Sequence, residues 1–166
     1  EEEVRKGVEK NGEKFGFTNA SLVALDPKSG QILSMVGSKD FFDKEIDGQV
    51  NVSIRPRQPG SSFKPIVFTA GFIKGYTSET TLWDVLTTFK TDVGPYNPKN
   101  YSPVYNGPIS VRKALQGSLN IPAVKMLYLV GVGRVLDFAE QLGYTTFEDR
   151  SRFGLSLVLG GGEVKL

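Results

Sequence analysis

Phe63, Ile66, Val67, Ala70 and Ile73 recur at intervals of three and four, a pattern that predicts a helix starting near Ser61 and burying one apolar stripe. Two apolar runs of strand length, residues 20–25 and 31–36, flank Asp26-Pro27-Lys28-Ser29-Gly30, whose composition is that of a turn. They predict an antiparallel hairpin, and their near-continuous hydrophobicity implies burial on both faces. Upstream, residues 3–14 carry charges with only Val4 and Val8 on an apolar line, which predicts a short, mostly solvated helix. Residues 38–60 turn polar and irregular, as a surface loop does. After a break at Gly75-Tyr76-Thr77, residues 80–86 suggest a short helical turn. Residues 94–108 hold four prolines, two glycines, three asparagines and three tyrosines. So many turn formers predict a long coil, and long ordered loops of this kind often line a site. Ser110 is placed to cap a helix running to Gly117, Pro122 to open a third helix, and a fourth spans residues 134–142 before Gly143. The pattern contains no internal repeat.

Composition narrows the chemistry. With 39% hydrophobic and 23% charged residues the chain reads as one domain, residues 1–166, with no second domain. The net charge of +2 is small and its basic residues form no stripe, so no nucleic-acid footprint is expected. No apolar run is long enough for a membrane span. The chain contains neither cysteine nor histidine. Disulfides, thiol catalysis, the common zinc sites and a Ser-His-Asp triad are therefore excluded within it, and neither cofactor nor metal is expected. A serine nucleophile here needs a lysine, a carboxylate or a tyrosine as its base.

Arg57-Gln58-Pro59-Gly60-Ser61-Ser62-Phe63-Lys64-Pro65 offers such a pair. Gly60 permits a sharp turn, and Pro65 is tolerated in a first helical turn because the leading amides lack intrahelical acceptors. Ser61 and Lys64, three apart, share a face at the helix mouth, where the positive end of the dipole disfavours an ammonium and favours an oxyanion. A lysine partly buried there could lose its proton near neutral pH and take one from Ser61. Spacing alone is weak support. The S-x-x-K pattern occurs twice, and at Ser110-Val111-Arg112-Lys113 a capping serine and a solvated lysine explain it. Ser118-Leu119-Asn120, on the link between two predicted helices, places a hydroxyl and a carboxamide where both could face one cleft, although two helix caps would look the same.

Taken together, the Arg57-to-Pro65 run, Ser118-Leu119-Asn120-Ile121-Pro122-Ala123 and Leu157-Val158-Leu159-Gly160-Gly161-Gly162-Glu163-Val164 resemble the transpeptidase domain of class A, bifunctional penicillin-binding proteins. The resemblance covers nearly the whole chain, including the hairpin and the Gly107-to-Arg112 approach to Ser118. It implies an α+β fold of the serine β-lactamase/D,D-transpeptidase type. Four catalytic residues follow from it. Ser61 would be the nucleophile toward the D-Ala-D-Ala carbonyl of a peptidoglycan stem peptide, and Lys64 the group that takes its proton. Ser118 would pass a proton to the departing D-alanine, and Asn120 would hydrogen-bond Lys64 and the substrate amide. β-Lactam antibiotics would acylate the same serine. The location implied is the outer face of the bacterial cytoplasmic membrane, with anchoring by segments upstream of this chain.

The chain departs from that family in one respect. The K-T-G or K-S-G strand that should follow the Gly160 region is missing, and Lys28-Ser29-Gly30 has the letters but sits in the hairpin turn. Only the first two of the family's five sheet strands and the helical subdomain are expected, leaving an open strand edge. The chain alone is therefore expected to be inactive or nearly so, and to need a complementing fragment, self-association or a longer parent. A serine β-lactamase-like hydrolase and a non-catalytic wall-binding or assembly module are the competing readings.

Overall fold

The computed structural model describes residues 1–166, and its elements follow the hydrophobic pattern closely in the helices and less closely in the strands. In chain order they are α1 (Glu2–Phe15), β1 (Leu22–Leu25), β2 (Ile32–Val36), α2 (Lys64–Ile73), β3 (Thr81–Asp84), β4 (Phe89–Thr91), β5 (Gly94–Tyr96), β6 (Gly107–Ser110), α3 (Val111–Gln116), α4 (Asn120–Val130) and α5 (Val132–Gln141). Short 3-10 turns at Val52–Ile54, Gly60–Phe63, Arg150–Arg152 and Leu155–Leu159 complete the list. The strands form three separate antiparallel pairs, β1 with β2, β3 with β6 and β4 with β5. The class is α+β, as expected.

Two compact units divide the chain, Glu1–Pro56 with Lys165–Leu166, and Arg57–Val164. In the first, α1 buries Val4, Val8 and Gly12 and ends in a left-handed Gly16. The β1–β2 register runs from Leu22 opposite Val36 to Leu25 opposite Ile32. Its turn is held by Gly30 N donating to Asp26 O at 2.8 Å and by the Ser29 hydroxyl donating to the Asp26 carboxylate at 2.5 Å, which keeps that carboxyl below its usual range. Lys28-Ser29-Gly30 is thus a hairpin turn. The predicted two-sided burial of the hairpin is not met: Leu25, Ile32 and Leu33 are all more than half exposed.

The second unit holds the main core. Phe63, Val67, Phe68, Val124, Met126, Leu127, Leu136 and Leu157 are all buried, each contributing roughly 1.5–3 kcal/mol for a large aliphatic or aromatic side chain removed from water. Helices α2 and α4 cross closely at Gly71, where a Cβ would lie 2.6 Å from Met126 Sδ. Phe63 meets the Tyr144 and Phe147 rings edge to face, so the residue two places after Ser61 is anchored in an aromatic cluster. The buried face of α2 is wider than the predicted stripe. Val67 and Ala70 lie on it as expected, Lys64, Phe68 and Gly71 join them, and Ile73 is 70% exposed. Residues 80–86 are also not a helical turn. Thr81–Asp84 alternates exposed and buried, the two-residue period of a strand, and pairs with β6 from Thr81 opposite Ser110 to Asp84 opposite Gly107.

Candidate active site

The approach to Ser61 is held from two sides. Arg57 and Val164 exchange backbone hydrogen bonds, 2.8 Å from Arg57 N to Val164 O and 2.9 Å in return. Gly160, at φ +86°, lies so close to Gly60 that a Cβ on it would fall 2.2 Å from Gly60 N. Gly60 itself has φ +60°, so both glycines are required where the two turns touch. Beyond this clamp the chain enters the 3-10 turn Gly60–Phe63 and passes directly into α2, with Pro65 in the first turn and Lys64 N donating to Ser61 O. In a 3-10 turn, side chains three apart eclipse, which sets exposed Ser61 and Lys64 on one line.

Lys64 is the feature that separates this S-x-x-K from its second copy. Its side chain is 1% exposed, on the buried stripe of α2. Nζ donates to Ser118 O at 2.5 Å and to Asn120 Oδ1 at 2.8 Å, and lies 3.1 Å from Ser118 Oγ. Burial pushes its pKa below the ordinary 10.5, no carboxylate being among these partners. Lys113, by contrast, is exposed, and its backbone N–H donates to Ser110 Oγ at 3.4 Å, the cap that the sequence suggested.

Ser118 reaches Lys64 through a helix ending. At the end of α3, Ser118 N donates to Leu115 O and Leu119 N to Ala114 O, each at 3.0 Å, the paired bonds of a Schellman motif. The left-handed position of that motif, where glycine is usual, is Ser118 itself at φ +50°, whereas Gly117 has φ −83°. This strained conformation turns both the carbonyl and the hydroxyl of one residue onto Nζ. Asn120 opens α4, and its Nδ2 donates to Lys99 O at 2.9 Å, an acceptor that fixes the amide with its oxygen toward Lys64.

The chemistry open to this arrangement follows from its acceptors. Two of the three partners of Nζ are carbonyl oxygens, which only accept, so a neutral amine can keep both bonds with its two hydrogens and aim its lone pair at a hydroxyl. Lys64, Ser118 and Asn120 are therefore brought together, and Ser61 stands one short turn away at the helix mouth. Sequence reasoning missed Lys99, Asn100, Asn106 and Asp84, which surround this cluster; the asparagine-rich composition of residues 94–108 was the only signal for the first three, and Asp84 had none. No group of three or more His, Cys, Asp or Glu gathers at metal-binding distance. A cavity of about 370 Å³ beside α5 shares no residue with the site, and its one cation, Arg150, is already paired with Asp137 and Glu140.

Residues 20–157 match the family model for the penicillin-binding protein transpeptidase domain. The chain belongs to that family. Penicillin-binding protein 1A of Neisseria meningitidis is 33% identical over 176 residues, covering 98% of this chain and 21% of the relative. The protein of the same name from Pseudomonas aeruginosa is 31% identical over 140 residues, 83% of this chain and 17% of the relative. The chain thus spans about a fifth of the length of the curated relatives it matches. Among solved structures, penicillin-binding protein 1A of Haemophilus influenzae superposes with a TM-score of 0.78 at 26% identity, over 89% of this chain and 21% of that one. PonA1 of Mycobacterium tuberculosis, solved in complex with penicillin V, shares the fold at 18% identity and a TM-score of 0.72, over 99% of this chain and 46% of that one. The transpeptidase resemblance read from the three motifs is the family that these matches show.

Proposed function

We propose that this chain carries the acylation machinery of a peptidoglycan D,D-transpeptidase. The observation that supports this reading best is the buried Lys64 Nζ, held by two carbonyl acceptors and facing a hydroxyl. In the reaction, Ser61 Oγ gives its proton to neutral Lys64 as it bonds to the carbonyl carbon of the penultimate D-alanine of a stem peptide. The tetrahedral adduct collapses, the C–N bond breaks, and the departing D-alanine nitrogen takes a proton through Ser118 Oγ. An amine of a second stem peptide then attacks the Ser61 ester, loses a proton to Lys64 and releases Oγ–H, leaving the cross-link. Asn120 holds Lys64 and the donor peptide's amide throughout. A β-lactam enters as the donor does, but its leaving nitrogen stays tethered to the acyl group.

The 166 residues carry no K-T-G or K-S-G strand opposite Ser61, which in this reading supplies an oxyanion donor. Losing one such donor costs on the order of a hundredfold or more, so the chain alone acylates slowly and gains rate when the remaining strands are supplied. In this reading the 166 residues are the first part of one transpeptidase domain, working on the outer face of the cytoplasmic membrane and anchored elsewhere; no helix here is long and apolar enough to cross a membrane.

Intact-mass measurement after fluorescent penicillin, with the chain alone and with the K-T-G-bearing portion of a class A relative added, tests the proposal. A stable one-to-one adduct that disappears in Ser61→Ala supports it. Rapid hydrolysis of the drug would instead indicate a β-lactamase, and no adduct in the supplemented mixture a non-catalytic wall module.

A further inference from the structure

Asp84, at the end of β3, is 0% exposed and lies outside the four residues assigned to the reaction. Three donors converge on its carboxylate: Asn100 Nδ2 on one oxygen at 2.7 Å, and Asn106 N and Nδ2 on the other at 3.0 and 2.6 Å. With its nitrogen committed to Asp84, Asn100 turns Oδ1 to the start of α4, where it accepts from Asn120 N at 3.0 Å and Ile121 N at 3.2 Å. This is the helix's N-terminal cap, delivered from twenty residues upstream, because Leu119 in the capping position has no side-chain acceptor. The neighbouring Lys99 carbonyl holds the side chain of the same Asn120. One short stretch of the 94–108 loop therefore grips Asn120 by its backbone and by its amide, and Asp84 holds that stretch in place.

We infer that Asp84 is a positioning residue for the Lys64 centre, acting through Asn100; this rests on the transpeptidase reading above. The carboxylate cannot be replaced by its isostere. An aspartate accepts on both oxygens, as three converging donors require, whereas an asparagine at 84 would turn an NH₂ group toward one set of them. Relieving that clash by flipping Asn100 would present NH₂ to the Asn120 and Ile121 amides, donor against donor. The cap would be lost, and with it the orientation of the Asn120 oxygen that Lys64 bonds. The amide in the relay also keeps formal negative charge off the α4 terminus, where it would favour the ammonium form of Lys64.

The test is a double-mutant cycle on the rate of Ser61 acylation by fluorescent penicillin, in the chain supplemented with the K-T-G-bearing portion. Asp84→Asn and Asn100→Ala should each slow acylation about tenfold or more, and the double variant should be no slower than Asn100→Ala alone. Effects that multiply, or an Asp84→Asn variant acylated at the wild-type rate, overturn the inference. The ¹⁵N resonance of Lys64 Nζ, followed in the chain alone, supplies a readout independent of acylation. Both single variants should shift it in the same direction, and an unchanged resonance in folded variants overturns the inference. If Asp84→Asn does not fold, Asn100→Ala decides by the same two readouts. A wild-type chain that takes up no penicillin while its Lys64 resonance responds to both variants defeats the transpeptidase reading and leaves the positioning role standing.

Discussion

Ser118 holds a left-handed backbone conformation that a glycine would adopt freely, in a motif where glycine is the usual occupant. The adjacent Gly117 makes the arrangement unreadable from sequence, since a helix ending in Gly-Ser invites the glycine into that position. The strain is tolerated because a single residue then supplies two of the three partners of Lys64. Ser118→Gly should consequently be more stable than Ser118→Ala by about 1 kcal/mol, as urea denaturation would measure, while both lose acylation by about a hundredfold or more. Lys64 itself makes a pH prediction. Its folded pKa lies below the unfolded 10.5, so between the two values the unfolded chain binds more protons and stability rises with pH. Relative to Lys64→Met, which has no titrating group at this position, the wild type should gain stability as pH is raised toward 10.5, checked by paired denaturation curves across the alkaline range. The serine–lysine spacing was legible from the start. What the pattern could not show was that the buried face of α2 includes position 64, because Phe63, Ile66, Val67 and Ala70 already account for an apolar stripe without it.

At the level of elements, the turn at Gly160 is a spacer. Adding a methyl at Gly160 would drive it into the Gly60 backbone, which has no rotamer to give, and would strain φ +86° as well. Gly143→Ala is the matched control, with φ +94° and nothing within 4 Å of the added carbon. Gly160→Ala should therefore cost measurably more stability than Gly143→Ala and should slow acylation, whereas Gly143→Ala pays for backbone strain alone; denaturation midpoints and penicillin labelling of both variants check this. Helices α2 to α5 were legible because their apolar spacing is local, as is the Ser110 cap of α3. The β3 strand was not: Thr-Leu-Trp-Asp alternates over only four residues, and its partner β6 begins more than twenty residues later. Asp84, one of the two residues that strand buries, went unread for the same reason, and with it the carboxylate that the loop asparagines bond.

For the molecule as a whole, an almost neutral chain of two units places its chemistry in the larger one, at the junction of α2, α3 and α4. The smaller unit keeps the hairpin that the sequence marked out as apolar, with Leu25, Ile32 and Leu33 in contact with solvent. A greasy two-stranded ribbon with unpaired rims is adhesive. Left bare, it sets a ceiling on the concentration at which the polypeptide stays monodisperse, and masking it would raise that ceiling.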